Sequence, residues 1–172
     1  MERLIRHESM RGWFAYELHR QMAKNPDIWL VTGDLGYGML DAIRRDYPDR
    51  FLNCGAAEQS MMGIAVGLAL EGKIPIVYSI TPFLLYRAFE TIRNYINHEE
   101  IPVILIGGGR DRDYEHDGFS HWAEDDKLLF ESGDLHQTPI FDKIDAYWPE
   151  AKEDIANLLE QVLQARRPAY IN

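Results

Sequence analysis

One carboxylate stands out among the residues able to do chemistry. Glu58 sits near the start of "CGAAEQSMMGIAVGLALEG", residues 54 to 72, where nearly everything else is small or apolar. A buried ionised carboxylate is costly unless it is paired. Two readings are open. Glu58 is either a solvated glutamate in the first turn of a helix, where the dipole favours its charge by roughly 0.3–1 kcal/mol, or a carboxyl group that something needs in an apolar place. In apolar surroundings a carboxyl pKa rises, so the group can hold a proton and share it. The small neighbours Gly55, Ala56, Ala57, Gly63 and Gly67 would let a backbone or a flat ligand come close.

Other candidates lie nearby in the chain. In "SITPFLLYRAF", Phe83, Tyr86 and Phe89 recur at i, i+3 and i+6, close to one helix face. Core packing accounts for Phe89. The loop "EHDGFSHW" carries Asp117 and His121, and a histidine can move protons near neutral pH. Asp34 in "TGDLG" reads either as a turn aspartate capping its loop or as a site residue. Two patterns are decoys. Asp113, Glu115, Asp117, Gly118 and Glu124 approach calcium-loop spacing, but a strand and three glycines precede them and Ser120 stands where an apolar residue is usual. "GDLGYG" and "GGG" both lack the full dinucleotide-loop order. The lone cysteine, Cys54, excludes an intrachain disulfide or a thiolate metal cluster and fits a reducing cytosol. His7, His19, His98 and His136 carry no motif and read as surface or core.

The elements that must position these groups follow from periodicity. Helices are predicted over 8–24, 38–46, 57–71, from Pro82 to about Asn97, over 121–131 and over 149–165. Thr81 is the expected cap of the fourth of these, with Pro82 at its first position. Strands are predicted in "DIWLVTG", "RFLNCG", "KIPIVYS", "IPVILIGGG", "HQTPIFDKI" and "PAYIN". Alternation of this kind implies an α/β fold: a doubly wound, mostly parallel sheet of about six strands with helices on both faces. One domain, 1–172, accounts for the chain. Ligands in such folds gather at the carboxyl ends of the strands, which is where Asp34, Glu58, Phe83 and the 107–121 loop fall. A net charge of −10 argues against nucleic acid or an anionic membrane as partner. The chain shows neither a signal peptide nor an apolar run of the roughly 18 residues a membrane span needs, so a cytoplasmic location is expected.

The stretch "RFLNCGAAEQSMMGIAVGLALEGKIPIVYSITPFLLYRAFETI" resembles the pyrimidine-binding domain of the transketolase group of thiamine-diphosphate enzymes. Deoxyxylulose-phosphate synthase and the beta subunits of 2-oxoacid dehydrogenases are relatives in that group. The resemblance implies a thiamine-diphosphate-binding fold and a role for Glu58. A glutamate at this place hydrogen-bonds N1′ of the cofactor's aminopyrimidine and starts its proton relay. Phe83 and Tyr86 would lie against the pyrimidine, Tyr86 as the stacking partner, with Asp34 and Leu35 beside the cofactor. "HDGFSHW" resembles the family's Asp-Gly-Pro-Thr-His-Gln segment, which makes Asp117 and His121 substrate residues and His121 a proton shuttle; Asp34 would also face the sugar. The family's phosphate-binding serine falls at Gly38, and a histidine found after the fourth strand falls within Gly107 to Gly109. Both departures put ordinary sugar-phosphate specificity in question.

The family holds the diphosphate and its Mg²⁺ on a separate domain marked by Gly-Asp-Gly and a later Asn, a motif this sequence does not contain. No metal site is therefore expected on this chain. The resemblance implies a split enzyme: a pyrimidine-side subunit, a partner subunit holding the diphosphate and Mg²⁺, and an α2β2 assembly. The reaction implied is transfer of a two-carbon ketol unit between sugars or sugar phosphates. A 2-oxo acid decarboxylating subunit, a deoxyxylulose-phosphate-synthase-like enzyme and a non-catalytic assembly module are the alternatives.

Overall fold

The computed structural model describes residues 8–132 and 138–172. Its centre is made by the most continuous apolar runs. β1 (Ile28–Thr32), β3 (Ile74–Ile80) and β4 (Ile104–Gly108) are largely buried, as strands covered on both faces must be. β2 (Phe51–Asn53), β5 (Asp145–Tyr147) and β6 (Ala169–Ile171) complete a six-stranded sheet of order β2-β1-β3-β4-β6-β5. Every pairing is parallel. Register runs straight across it: Val31 pairs with Leu52 and Val77, Val77 with Leu105, and Leu105 with Tyr170.

Helices cover both faces, as the alternation predicted. α1 (Met10–Lys24) and α7 (Ile155–Ala165) pack Leu18, Met22, Leu159 and Val162 on one face. The Ser9 hydroxyl starts α1 by accepting from the Gly12 amide at 3.1 Å. On the other face α3 (Glu58–Leu70) and α4 (Thr81–Tyr86) supply Met61, Met62, Ala65, Leu84 and Leu85. α2 (Asp41–Asp46) follows β1 and is shorter than the helix predicted over 38–46.

The remaining differences are local. The helix predicted from Pro82 to Asn97 is three pieces: α4, α5 (Phe89–Thr91) and a π-helical run Ile92–His98. The break falls at Ala88, whose φ of −109° and ψ of 18° leave the helical well. Thr81 does not cap α4. Its hydroxyl donates instead to the carbonyl of Gly109 at 2.8 Å, tying the helix start to the end of β4. The helix predicted over 121–131 shrinks to α6 (Lys127–Phe130). The fifth strand lies one step later than "HQTPIFDKI": the described residues 138–144 are loop and turn, and Asp145–Tyr147 pair with β6. His7, His136 and Gln137 lie outside the described residues. Among the described residues, no helix is long and apolar enough to cross a membrane.

Candidate functional site

After β2 the chain crosses β1 through α3 and enters the sheet again as β3, on the other side of β1. The crevice between the ends of β1 and β3 is the place where such sheets bind ligands. Asn53, the last residue of β2, ties together the turns that follow β1 and β2. Its side-chain oxygen accepts from the amides of Asp34 at 3.1 Å and Gly55 at 2.9 Å. Gly33 forms the floor: a Cβ there would lie 3.2 Å from the Gly55 carbonyl and 3.7 Å from Glu58 Oε1. A larger residue would push into the carboxylate.

Glu58 is the first residue of α3 and is only 5% exposed. The sequence pointed to apolar surroundings for this carboxyl, but a cation completes them. Arg87 Nη1 donates to Glu58 Oε1 at 3.0 Å and Oε2 at 3.1 Å. The Arg87 guanidinium also lies 3.7 Å over the Phe83 ring. Phe83 and Arg87 are four residues apart across the end of α4, so helical spacing stacks one on the other. The outer side of Arg87 is open, its side chain being 46% exposed.

His121 closes the third side. Its ring meets Phe83 edge-on at 4.8 Å between centroids and Tyr114 at 6.4 Å. Ser120 Oγ lies 3.1 Å from His121 Nδ1. Glu58 and Phe83 thus hold one arginine between them, His121 backs Phe83, and Asn53 ties Asp34 to the Gly55 turn that leads into Glu58. The carboxylate of Asp34 accepts from the Tyr37 hydroxyl, and this bond raises the Tyr37 pKa. Leu35 is partly buried against the α1 side of the core. The two other predicted residues make contacts of their own. Asp117 is exposed and pairs with His116 at 3.2 Å. Tyr86 bonds to Asp125, and burial followed by that carboxylate pushes its pKa up. Phe89 packs on Phe141 in the core, as the sequence suggested.

The sequence reading passed over four residues of this neighbourhood. Arg87 had one signal, its spacing from Phe83. Asn53 had its place at a strand end. Tyr114 lies across the end of β4 and accepts from Arg11 Nη1 at 2.5 Å. It explains why no side chain occupies the glycine triplet: a Cβ at Gly109 would run into the Tyr114 ring. Thr81 Oγ1 and the Tyr78 hydroxyl crowd Gly107 and Gly108 in the same way, at 2.5 and 2.9 Å. The fourth residue, Asp126, is 3% exposed behind the His121 loop. Its Oδ2 accepts from Trp148 Nε1 at 3.0 Å and from Tyr170 Oη and Asn172 Nδ2 at 2.7 Å each. Among the described residues, no three His, Cys, Asp or Glu side chains converge as a metal-binding group.

The family model for the transketolase pyrimidine-binding domain matches residues 7–172. The chain belongs to this family. It is 28% identical over 127 residues to one of the subunits of an apulose-4-phosphate transketolase from Actinobacillus succinogenes, covering 74% of this chain and 38% of that one. It is 33% identical over 93 residues to a 1-deoxy-D-xylulose-5-phosphate synthase of Dehalococcoides mccartyi, covering 54% and 14%. Among solved structures, a split-gene transketolase in an inactive β4 tetramer superposes with a TM-score of 0.78 at 27% identity, covering 94% of this chain and 50% of its own. The Leishmania mexicana transketolase shares the fold with a TM-score of 0.78 at 17% identity, over 98% and 26%. The chain spans half or less of the length of the curated relatives it matches. As a member of that family, the chain is a transketolase-type pyrimidine-binding domain.

Proposed function

We propose that this chain is the pyrimidine-side subunit of a split transketolase-like enzyme, transferring a two-carbon ketol unit between sugars or sugar phosphates. The observation that carries the reading is the buried Glu58 carboxylate at the crevice, with Phe83 and His121 beside it, in a chain the family model spans almost completely. The local chemistry fits an aminopyrimidine. Gly33 leaves room beside Glu58, and the Phe83 face and the Glu58 carboxylate, which hold the Arg87 guanidinium in this structure, suit a flat ring that shares one hydrogen with the carboxylate.

Bound thiamine diphosphate would supply the carbon nucleophile that cleaves and remakes the bond beside a sugar carbonyl. The protein's part is proton handling and placement. Glu58 would hold a hydrogen between its carboxylate and N1′ of the ring. Phe83 would give the ring its packing surface, with Tyr86, Asp34 and Leu35 around it. Ser120 engages His121 Nδ1, which leaves Nε2 to exchange protons with substrate oxygens. Asp34 and Asp117 would face the sugar.

A partner subunit would hold the diphosphate and Mg²⁺, giving an α2β2 heterotetramer. Two things support this: a relative is named as one of the subunits of a transketolase, and a solved split-gene relative is inactive as a β4 assembly. The test is reconstitution. Neither this chain nor a candidate diphosphate-binding subunit should transfer ketol units alone with thiamine diphosphate and Mg²⁺, and the mixture should. Full turnover by this chain alone would overturn the split arrangement.

A further inference from the structure

The Arg87 side chain has two features of a bound aminopyrimidine. Its guanidinium is flat and stacks 3.7 Å over Phe83, and one of its nitrogens, Nη1, hydrogen-bonds the Glu58 carboxylate. A planar nitrogen heterocycle that used Glu58 and Phe83 would need those same two surfaces. The arginine and such a ring cannot both hold them. We propose that Arg87 is a place-holder: it occupies the ring's position in the free subunit, keeps the Glu58 carboxylate paired there, and swings outward when the ring enters. This role rests on the proposed function and adds to the site a residue that the sequence did not single out.

Three observations make the exchange feasible. Arg87 is 46% exposed while Glu58 is 5% exposed, so the cation can rejoin water and the carboxylate cannot. Arg87 follows the last residue of α4, next to the break at Ala88, and is not clamped inside a continuous helix. Phe83, by contrast, is held between Arg87 and the His121 ring and would stay behind as the stacking surface. An empty crevice would otherwise leave Glu58 buried with no partner, which is costly. The arginine answers that need at a strength a ligand can overcome, because partly exposed ion pairs and cation–π contacts are weak.

The test uses the full chain and the free pyrimidine half of the cofactor, 4-amino-5-hydroxymethyl-2-methylpyrimidine. By calorimetry, Arg87→Met should bind this probe about five- to tenfold more tightly than the unsubstituted chain, because the competing conformer is gone. Equal or weaker binding by the variant would overturn the proposal, since Arg87 would then be a bystander or a ligand contact. A second measurement needs no substitution. Phenylglyoxal labelling of Arg87, followed by mass spectrometry, should speed up when the probe is added to the unsubstituted chain. Protection of Arg87 by the probe overturns the proposal, and so does failure of both chains to bind it at millimolar concentration. The reconstitution assay reads the proposed function separately, so the two can fail independently.

Discussion

Two buried carboxylates, Glu58 and Asp126, are 5% and 3% exposed and are held in opposite ways. One oxygen of Asp126 accepts three bonds, from the buried or half-buried groups of Trp148, Tyr170 and Asn172. The Tyr170 hydroxyl is fully buried and the other two donors are half-buried. Glu58 is met by one half-exposed arginine that can turn to solvent. Burial alone therefore does not distinguish the two; the exposure of the partner does, and Glu17, 5% exposed and paired with the half-exposed Arg20, falls on the Glu58 side of that line.

The strongest way to break this contrast is to remove each carboxylate in turn. Glu58→Ala should lower turnover of the reconstituted enzyme by about 10²–10⁴-fold, while its urea midpoint shifts by the equivalent of less than about 1 kcal/mol, because Arg87 rehydrates. Asp126→Ala should do the reverse. Leaving three donors without their acceptor should cost about 3–5 kcal/mol of stability, read from urea unfolding of the chain alone. If the two substitutions cost the same stability, the distinction is wrong.

A smaller change sharpens it. Tyr170→Phe deletes one donor to Asp126 and keeps the ring, which stacks on Phe130 at 4.4 Å. It should cost about 1–2 kcal/mol by the same unfolding measurement.

The smallest effect is in alkaline solution. Burial pushes the Tyr170 pKa well above its ordinary value of 10.0 and that of Tyr78 up to about 12. Both hydroxyls stay protonated in the fold after they would ionise in the unfolded chain. Their contribution is complete below about pH 10 and is lost as pH rises through the folded values, by under about 1 kcal/mol per tyrosine at about pH 10.5. Melting temperatures between about pH 9 and 11 should fall for the native chain and fall less for Tyr170→Phe.

The sheet was largely legible in the sequence because parallel strands buried on both faces advertise themselves as runs of Val, Ile and Leu. The crevice was legible in part, since Glu58 is conspicuous among glycines and alanines. Its partner was not, because Arg87 lies 29 positions away and only the fold of α3 and α4 around β3 brings it in. Asp126 was hidden for a related reason. "AEDDK" reads as a solvated acidic run, and Glu124 and Asp125 are indeed exposed. Asp126 alone turns inward, to donors 22, 44 and 46 positions on. The broken helix after Tyr86 escaped periodicity because its pieces keep nearly helical spacing. The fifth strand escaped because Asp145–Tyr147 is only three residues long and is defined by pairing with β6.

The crowding over Gly109 also limits how this protein can be altered. Because Tyr114 already fills the volume a side chain at that position would need, and the Gly109 backbone sits at a φ of 88°, a histidine there meets both a ring and a strained backbone, and cutting back Tyr114 relieves only the first. New selectivity at this rim is therefore reached most readily by substitution in the 110–122 loop, with the strand end kept bare.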